Sequence, residues 1–284
     1  MKRLVRFDWA IKKLLRSKTN YVILEGFLSE LLNFDIKIVK ILESESNKEE
    51  LEDKYNRVDI LVEDDKGELV LIEVQVNTEL DYFSRMLYGT SKIVTEYINE
   101  SEPYLKVKKV YSVNVMYFDL GQGEDYVYHG TTKFIGLNKN DELLLNEKQR
   151  RVYQKQHIKD IFPEYYVVKV NQFDDLAKNT LDEWIYFLKN EEIKDNFKAK
   201  GLKEAKEKLD SMKLSPEEMK AYKRYVENLH YKASMVDSSY GEGVRDGIEQ
   251  GKLEAAKSLL DVLDDKTIAD KLGLAIVQVQ KLRK

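Results

Sequence analysis

The chain has 284 residues and a formal net charge of -4, with 43% hydrophobic and 35% charged side chains, which is typical of a globular protein rather than a disordered one. It contains no cysteine, which excludes disulfides and zinc–thiolate sites, and no apolar run approaches the roughly 20 residues of a membrane-spanning helix. Because the N-terminal residues also lack the apolar core of a signal peptide, we expect a cytoplasmic protein with no membrane partner.

The first 32 residues contain two helical patterns and a basic segment. Apolar side chains form a rough helical stripe over residues 5–16, and they repeat at helical spacing over residues 21–32. Asp8 is the only acid in a segment that is otherwise basic through Lys2, Arg3, Arg6, Lys12, Lys13, Arg16 and Lys18. Such a cluster can contact DNA phosphates or form a solvated helix face, and the sequence leaves both interpretations open.

The middle of the chain carries the strand signals. Residues 58–62 and 69–74 are aliphatic and β-branched runs on either side of a Gly-containing connection, which predicts a β-hairpin. A helical pattern follows over residues 78–100. Further strands are predicted at 110–118, 126–137 and 165–170. These patterns predict an α/β fold in which a mixed sheet is flanked by helices.

The composition changes near residue 190, where the mixed pattern gives way to helical segments rich in Lys and Glu. An amphipathic helix is predicted over 173–188 and a charged helix over 196–209, and Pro216 stands at the first position of a further helix. We therefore predict a first domain over residues 1–190 and an all-helical C-terminal region over residues 191–284. Four glycines weaken any helix through them by up to about 1 kcal/mol each: Gly241, Gly243, Gly247 and Gly251.

Residues 265–283 have the pattern of a helix-turn-helix unit. Ala269, Gly273 and Val279 match the small-residue, turn-glycine and apolar spacing of such units. In this interpretation the side chains that approach DNA are Gln278, Gln280, Lys281 and Arg283. The favoured alternative is a helical hairpin that packs on its own domain or on a partner subunit, because the second helix is short and only moderately basic.

The predicted β-hairpin carries the candidate chemistry. If its strands pair antiparallel around a loop centred on Lys66, Asp59 lies directly opposite Glu73. Directly opposed side chains have Cβ atoms about 4.5–5.5 Å apart. Gln75 is two residues beyond Glu73 and therefore lies on the same face. A register shift of one residue would break this arrangement.

Two opposed carboxylates repel each other unless a cation neutralises the pair or one of them holds a proton. Mg²⁺ prefers oxygen ligands and commonly takes one or two carboxylates together with water and substrate phosphate. Such an ion can activate a water molecule for attack on a phosphodiester. The pattern therefore predicts Asp59 and Glu73 as metal ligands, with Gln75 beside the attacking water. In the alternative, both acids lie at the exposed ends of ordinary strands.

Several blocks of the sequence are similar to the Rpn family, the recombination-promoting nucleases and transposase-like proteins of the PD-(D/E)XK nuclease superfamily. The resemblance covers most of residues 5–140 and is weaker in the helical tail. It is carried by the opening block at 7–15, the helix at 23–32, the nuclease strands at 56–62 and 71–75, the R-x-x-Y block at 85–88 and the strand at 111–120.

The resemblance implies a restriction-endonuclease-like core and a DNA endonuclease that depends on Mg²⁺, with Mn²⁺ able to substitute. It implies that Asp59 and Glu73 hold the metal, that Glu25 is a further acid at the metal, and that Gln75 takes the position of the superfamily's lysine. Glutamine also occurs here in the family, but it lacks the positive charge that lysine brings to the phosphate. A catalytically idle DNA-binding or assembly protein with a nuclease fold is therefore the alternative.

The resemblance also implies which cationic side chains bind DNA phosphate and which partners the protein has. Arg57 and Arg85 are candidate phosphate clamps, since a guanidinium meets phosphate in a bidentate fork, and Lys12 and Lys13 are further candidates for DNA contact. Salt bridges to nearby carboxylates are an equal alternative for both arginines. We expect DNA as a partner, a role in DNA recombination or in a mobile element, and a homodimer formed through the helical C-terminal region.

Overall fold

A computed structural model describes residues 4–13, 15, 17–42, 59–99, 101–210 and 213–283. The chain divides into two compact units, Met1–Tyr222 and Lys223–Lys284. Arg57 lies outside the described residues, and so do the side chains at positions 12 and 13.

The first unit is built on a six-stranded mixed sheet in the order β1-β2-β3-β4-β6-β5. β1, β2 and β3 pair antiparallel, β3, β4 and β6 run parallel, and β5 is antiparallel to β6. The strands are β1 Ile38–Leu42, β2 Ile60–Asp64, β3 Leu69–Gln75, β4 Val110–Met116, β5 Val127–Gly130 and β6 Glu164–Lys169. This confirms the predicted α/β fold with a mixed sheet and flanking helices.

The predicted strands are all present, with two differences. The strand predicted over 126–137 ends at Gly130. The structure adds β1, an edge strand in which Ile38 alone is buried. Its sequence, Ile-Val-Lys-Ile-Leu, lacks the strict alternation of apolar and polar residues on which strand prediction depends.

The hairpin of β2 and β3 has the predicted register, with Ile60 opposite Ile72 and Val62 opposite Val70. Its turn is stabilised by the Asp64 carboxylate, which accepts hydrogen bonds from the backbone N–H groups of Lys66 (3.0 Å) and Glu68 (2.8 Å). Gly67 adopts a φ of 76°, a conformation that glycine reaches without steric cost. The turn therefore holds the two strands in the alignment that opposes Asp59 and Glu73.

Helices cover the sheet of the first unit. They are α1 Phe7–Lys13, α2 Tyr21–Leu32, α3 Tyr82–Glu96, α4 Glu147–Tyr153, α5 Thr180–Asn190 and α6 Leu202–Lys208. α3 packs on the face that carries Leu61, Leu71 and Val110, through Ile93. The helix predicted from residue 173 begins at Thr180, because the Asn179 side chain accepts a hydrogen bond from the N–H of Asp182 and caps the first turn.

The compact unit extends past residue 190, because α6 packs closely against α2. Gly26 of α2 lies against the backbone before α6, where an added Cβ would come 2.2 Å from the carbonyl oxygen of Lys200. Phe7, Phe27 and Trp184 join α1, α2 and α5 in an aromatic cluster, with ring centroids 5.5–6.4 Å apart.

The second unit is helical. α7 Pro216–Leu259, which belongs to this unit from Lys223 onward, runs without a break through the four glycines at 241–251. It is followed by α8 Asp265–Leu272 and α9 Ile276–Leu282. Gly273 ends α8 in the left-handed conformation, with a φ of 61°. Ile268, Ala269 and Val279 pack with Ala256 of α7, so the predicted helix, glycine turn and helix form a small core with the end of α7.

Within the described residues, no helix has both the length and the apolar surface required to cross a membrane.

Candidate active site

Asp59 and Glu73 meet at one end of the β2–β3 hairpin. Asp59 immediately precedes β2, and the register of the two strands places it opposite Glu73. The Asp59 Oδ2 atom accepts a 2.7 Å hydrogen bond from the backbone N–H of Val74, which anchors this carboxylate to β3. Glu73 is 5% exposed. One carboxylate is therefore buried in the sheet, and the other is held beside it at the hairpin edge.

Tyr82, at the start of α3, connects Glu73 to the next strand. Its hydroxyl lies 3.0 Å from Glu73 Oε2 and 3.0 Å from Asn114 Oδ1. The Asn114 amide nitrogen donates to Ser112 Oγ (3.0 Å) and to the carbonyl oxygen of Tyr166 (3.3 Å), which directs its oxygen toward Tyr82. Burial and Glu73 raise the pKa of Tyr82 far above its usual value, so the hydroxyl keeps its proton and acts as a donor.

The pKa of Glu73 is raised above its usual value. Burial is the largest cause, and the negative charges of Asp59 and Glu79 add to it, whereas Arg85 and the hydroxyl of Tyr82 act in the opposite direction. The ionised form of Glu73 is thus poorly compensated by its protein surroundings. A bound cation or a proton would remove that cost.

Glu79 holds Gln75 and Arg85 in place. The Gln75 amide nitrogen lies 2.5 Å from Glu79 Oε1 and 3.4 Å from the carbonyl oxygen of Asn77. Arg85 Nη1 donates to both oxygens of Glu79, at 2.7 and 2.9 Å, and Arg85 Nε lies 3.6 Å from Glu73 Oε2. Because the nitrogen of the Gln75 amide is occupied, its oxygen is the atom left to accept a hydrogen bond from water.

Sequence reasoning missed Glu79, Tyr82, Asn114 and Ser112. Glu79 lies in the connection before α3, which begins at Tyr82 rather than at residue 78. Asn114 and Ser112 lie in β4, where every residue is buried. Two polar side chains in a strand this apolar were the available signal, because a buried amide or hydroxyl requires hydrogen-bond partners.

Of the other predicted site residues, Arg85 lies beside Glu73, whereas the Glu25 carboxylate contacts the start of β1. Glu25 Oε1 accepts a 2.8 Å hydrogen bond from the backbone N–H of Ile38, at the start of β1, and its role as a third metal ligand stays a prediction. Arg85 forms the salt bridges that were the alternative to phosphate binding. Arg57, and the side chains of Lys12 and Lys13, lie outside what the structure describes.

In the second unit, two of the side chains predicted to approach DNA bind within the unit itself. Arg283 donates to the carbonyl oxygens of Leu260 (2.7 Å) and Leu263 (2.9 Å). Gln278 Oε1 accepts from the N–H of Ala275 at the start of α9. Gln280 and Lys281 are exposed.

The Asp59–Glu73 pair suits a hard divalent cation. Mg²⁺ commonly takes one or two carboxylates and completes its shell with water and phosphate, and the raised pKa of Glu73 marks a position where positive charge is needed. No group of three or more His, Cys, Asp or Glu side chains in the described part of the chain has an arrangement that could hold a metal.

The comparisons with known proteins place this hairpin in a family. A family model described as PD-(D/E)XK nuclease family transposase matches residues 5–239, a range that includes the hairpin and α3. No curated protein and no solved structure matched the chain. The match confirms the resemblance carried by the sequence blocks, and the mixed sheet with its flanking helices agrees with a restriction-endonuclease-like core. Because the family model covers most of the chain, this protein belongs to the PD-(D/E)XK nuclease family transposases.

Proposed function

We propose that the protein is a metal-dependent DNA endonuclease that hydrolyses phosphodiester bonds at the Asp59–Glu73 hairpin. The observation that carries the proposal is the opposition of the two acids, with Glu73 buried and its pKa raised. A fold stabilises such a pair poorly without a cation. Membership of a nuclease family supplies independent support.

In this proposal Asp59 and Glu73 hold Mg²⁺, or Mn²⁺ in its place. The ion supplies Lewis-acid polarisation of the phosphate and a lowered pKa for the attacking water. Gln75 accepts a hydrogen bond from that water through its amide oxygen, because Glu79 occupies the amide nitrogen. Arg85, whose Nη1 now donates to both oxygens of Glu79, offers a guanidinium that can bind phosphate oxygens.

Cleavage of supercoiled plasmid by the purified protein tests the proposal. We expect nicking or linearisation with Mg²⁺ or Mn²⁺ and none with EDTA. Asp59→Asn and Glu73→Gln should remove cleavage while the proteins stay folded. Asp65→Asn is the matched control, because Asp65 is an exposed acid in the turn of the same hairpin, and it should cleave like the wild type. A wild-type protein that is inert with both metals would refute the endonuclease assignment.

The alternative function is an idle nuclease fold that binds DNA without cutting it. The observation that favours it is the pairing of Arg85 with both Glu73 and Glu79, which compensates part of the acidic charge without a metal. The variant Gln75→Lys discriminates between the two functions. Activity that appears in Gln75→Lys and is absent from the wild type would favour the idle protein.

The second unit supports dimerisation as part of this proposal. Tyr240, Val244 and Ile248 follow one another at four-residue spacing on α7, so they share one face of the helix, and all three are exposed. A second copy of the chain would cover this apolar row. Light scattering of the full chain should show a dimer that Ile248→Asp dissociates, while Lys257→Asp, at another exposed position of α7, leaves it intact. A monomeric wild type would refute this part.

The cellular setting belongs to the same proposal. The family description names transposases, which supports a role in DNA recombination or in a mobile element. The lack of cysteine is compatible with the reducing cytoplasm. Cell fractionation, and recombination frequency with the Asp59→Asn protein, would test these two points.

A further inference from the structure

Two lysines are buried in the sheet of the first unit, and they differ in whether the ammonium group has hydrogen-bond acceptors. Lys109 is 5% exposed, and its Nζ contacts the carbonyl oxygens of Lys159 (2.6 Å) and Phe162 (2.5 Å) and the carboxylate of Glu164 (2.8 Å). Lys169 is 2% exposed, and its Nζ is buried without a hydrogen-bond partner among the residues that the structure describes. Its neighbour is the ring of Tyr128, whose centroid lies 5.8 Å away.

An ammonium group without hydrogen-bond acceptors is one of the most unfavourable groups to bury, because it loses its hydration, and the attraction of the Tyr128 ring replaces only a small part of it. Such a group in a native structure calls for an explanation. A methionine of similar length would fill the same space at lower cost in free energy. The fold therefore retains at Lys169 a positive charge that its own packing does not require.

The strand register places Lys169 on the candidate active-site face. Gln75 pairs with Met116 of β4, and Met116 pairs with Lys169 at the end of β6. Laterally paired residues point to the same face of a sheet, so Lys169 shares its face with Gln75 and, two residues earlier along β3, with Glu73. Two strand spacings separate Gln75 from Lys169, which is roughly 10 Å between backbones. β3, β4 and β6 run parallel, so their carboxyl ends lie at the same edge of the sheet.

Among the described residues, Asp59 and Glu79 place two further negative charges near Glu73. Arg85 pairs with Glu73 and Glu79. Gln75 is neutral, and a bound DNA strand adds the charge of its phosphates. We propose that Lys169 is a phosphate-binding residue, whose ammonium group donates to a phosphate oxygen of the DNA strand held at this edge. The inference deepens the proposed function and rests on it.

The ring of Tyr128 lies beside the ammonium group of Lys169, with 5.8 Å between the ring centroid and Nζ. The Tyr128 hydroxyl accepts a 2.9 Å hydrogen bond from the backbone N–H of Asp125, and the side chain is at the margin of exposure, at 36%. The hydroxyl lies so close to Gly123 that a Cβ there would come within 2.1 Å of it. In this proposal, phosphate reaches Lys169 once the Tyr128 ring has turned away from it.

The test compares full-length wild type with Lys169→Met and with Lys109→Met as the matched control. Thermal unfolding is measured with and without inorganic phosphate, and binding of a duplex oligonucleotide is measured against salt with Ca²⁺ in place of Mg²⁺. Lys169→Met should melt a few degrees higher than the wild type without ligand and lose the stabilisation by phosphate. The slope of log affinity against log salt should fall by roughly one. Lys109→Met should melt lower, because Glu164 loses its lysine partner, and should keep the slope of log affinity against log salt.

Several results would overturn the inference. They are a Lys169→Met protein that melts lower or does not fold, an unchanged salt slope, and a phosphate response equal to that of the wild type. Failure of the proposed function is seen separately, as absence of metal-dependent plasmid cleavage by the wild type. If the wild type binds no DNA, a phosphate stabilisation that Lys169→Met lacks still supports the phosphate site, and an equal stabilisation refutes it.

Discussion

Replacement of Tyr82 by phenylalanine isolates the hydroxyl that joins Glu73 to Asn114. The ring is fully buried and packs edge-on against Phe118, with centroids 6.0 Å apart. Phenylalanine keeps that contact and leaves no cavity, so the change in stability reports the hydrogen bond alone. A hydrogen bond to a charged group contributes about 1.5–3 kcal/mol. We therefore expect Tyr82→Phe to lower the free energy of unfolding by about 1.5–3 kcal/mol when Glu73 is ionised.

The pH dependence of that loss has a definite sign. The Tyr82 hydroxyl lowers the pKa of Glu73, so it stabilises the ionised carboxylate, and its contribution disappears as falling pH protonates Glu73. Urea unfolding over a series of pH values measures the difference, with Tyr111→Phe as control, because the Tyr111 hydroxyl contacts Glu68 at the opposite end of the strands. A loss that is the same at every pH, or no loss at the alkaline end of the series, would refute the charge-assisted bond.

Three further predictions concern Glu73, Glu79 and two glycines. Because the pKa of Glu73 is raised in the folded state, the folded protein binds more protons than the unfolded one, and the free energy of unfolding should fall as pH rises above the pKa of Glu73 in the unfolded chain. Glu73→Gln should flatten this part of the plot of unfolding free energy against pH, measured with urea. An unchanged slope in the variant would contradict the prediction. Glu79→Gln should strengthen DNA binding with Ca²⁺, because Arg85 loses one of its two ionic partners and keeps Glu73. It should also slow cleavage, because the contact that orients Gln75 is weakened; stronger binding without slower cleavage would show that Glu79 does not position Gln75. Gly26→Ala should lower the free energy of unfolding by about 1–3 kcal/mol or more. Gly241→Ala, with nothing within 4 Å of the added Cβ, should instead stabilise α7 by about 0.5–1 kcal/mol. Equal effects of the two variants in denaturant unfolding would refute the packing argument at Gly26.

Local rules were sufficient for the hairpin. The turn between β2 and β3 is short, and its Asp64 and Gly67 determine how the strands begin to pair, so the opposition of Asp59 and Glu73 follows from counting along two adjacent segments. The period of two then places Gln75 on the same face. These inferences needed no knowledge of the rest of the fold.

The same local rules could not predict which group the Glu25 carboxylate contacts. Its place on an amphipathic helix is compatible with a metal, with solvent or with another element, and the structure shows its carboxylate accepting from the N–H of Ile38. Likewise, the sequence did not determine whether Arg85 binds phosphate or a carboxylate of the protein. Its choice of Glu79 depends on how the 76–81 connection leads into α3.

The sequence by itself determined the α/β class, the hairpin and its opposed acids, because periodicity and a short turn act between neighbours along the chain. Only the tertiary structure brought Tyr82, Asn114 and Lys169 to the same face as Glu73. Parallel strands are joined by long connections whose length leaves their register open, so the alignment of β3, β4 and β6 arises from packing against α3 and from the mutual hydrogen bonds of the sheet. The charges that surround Glu73 are therefore a property of the folded sheet.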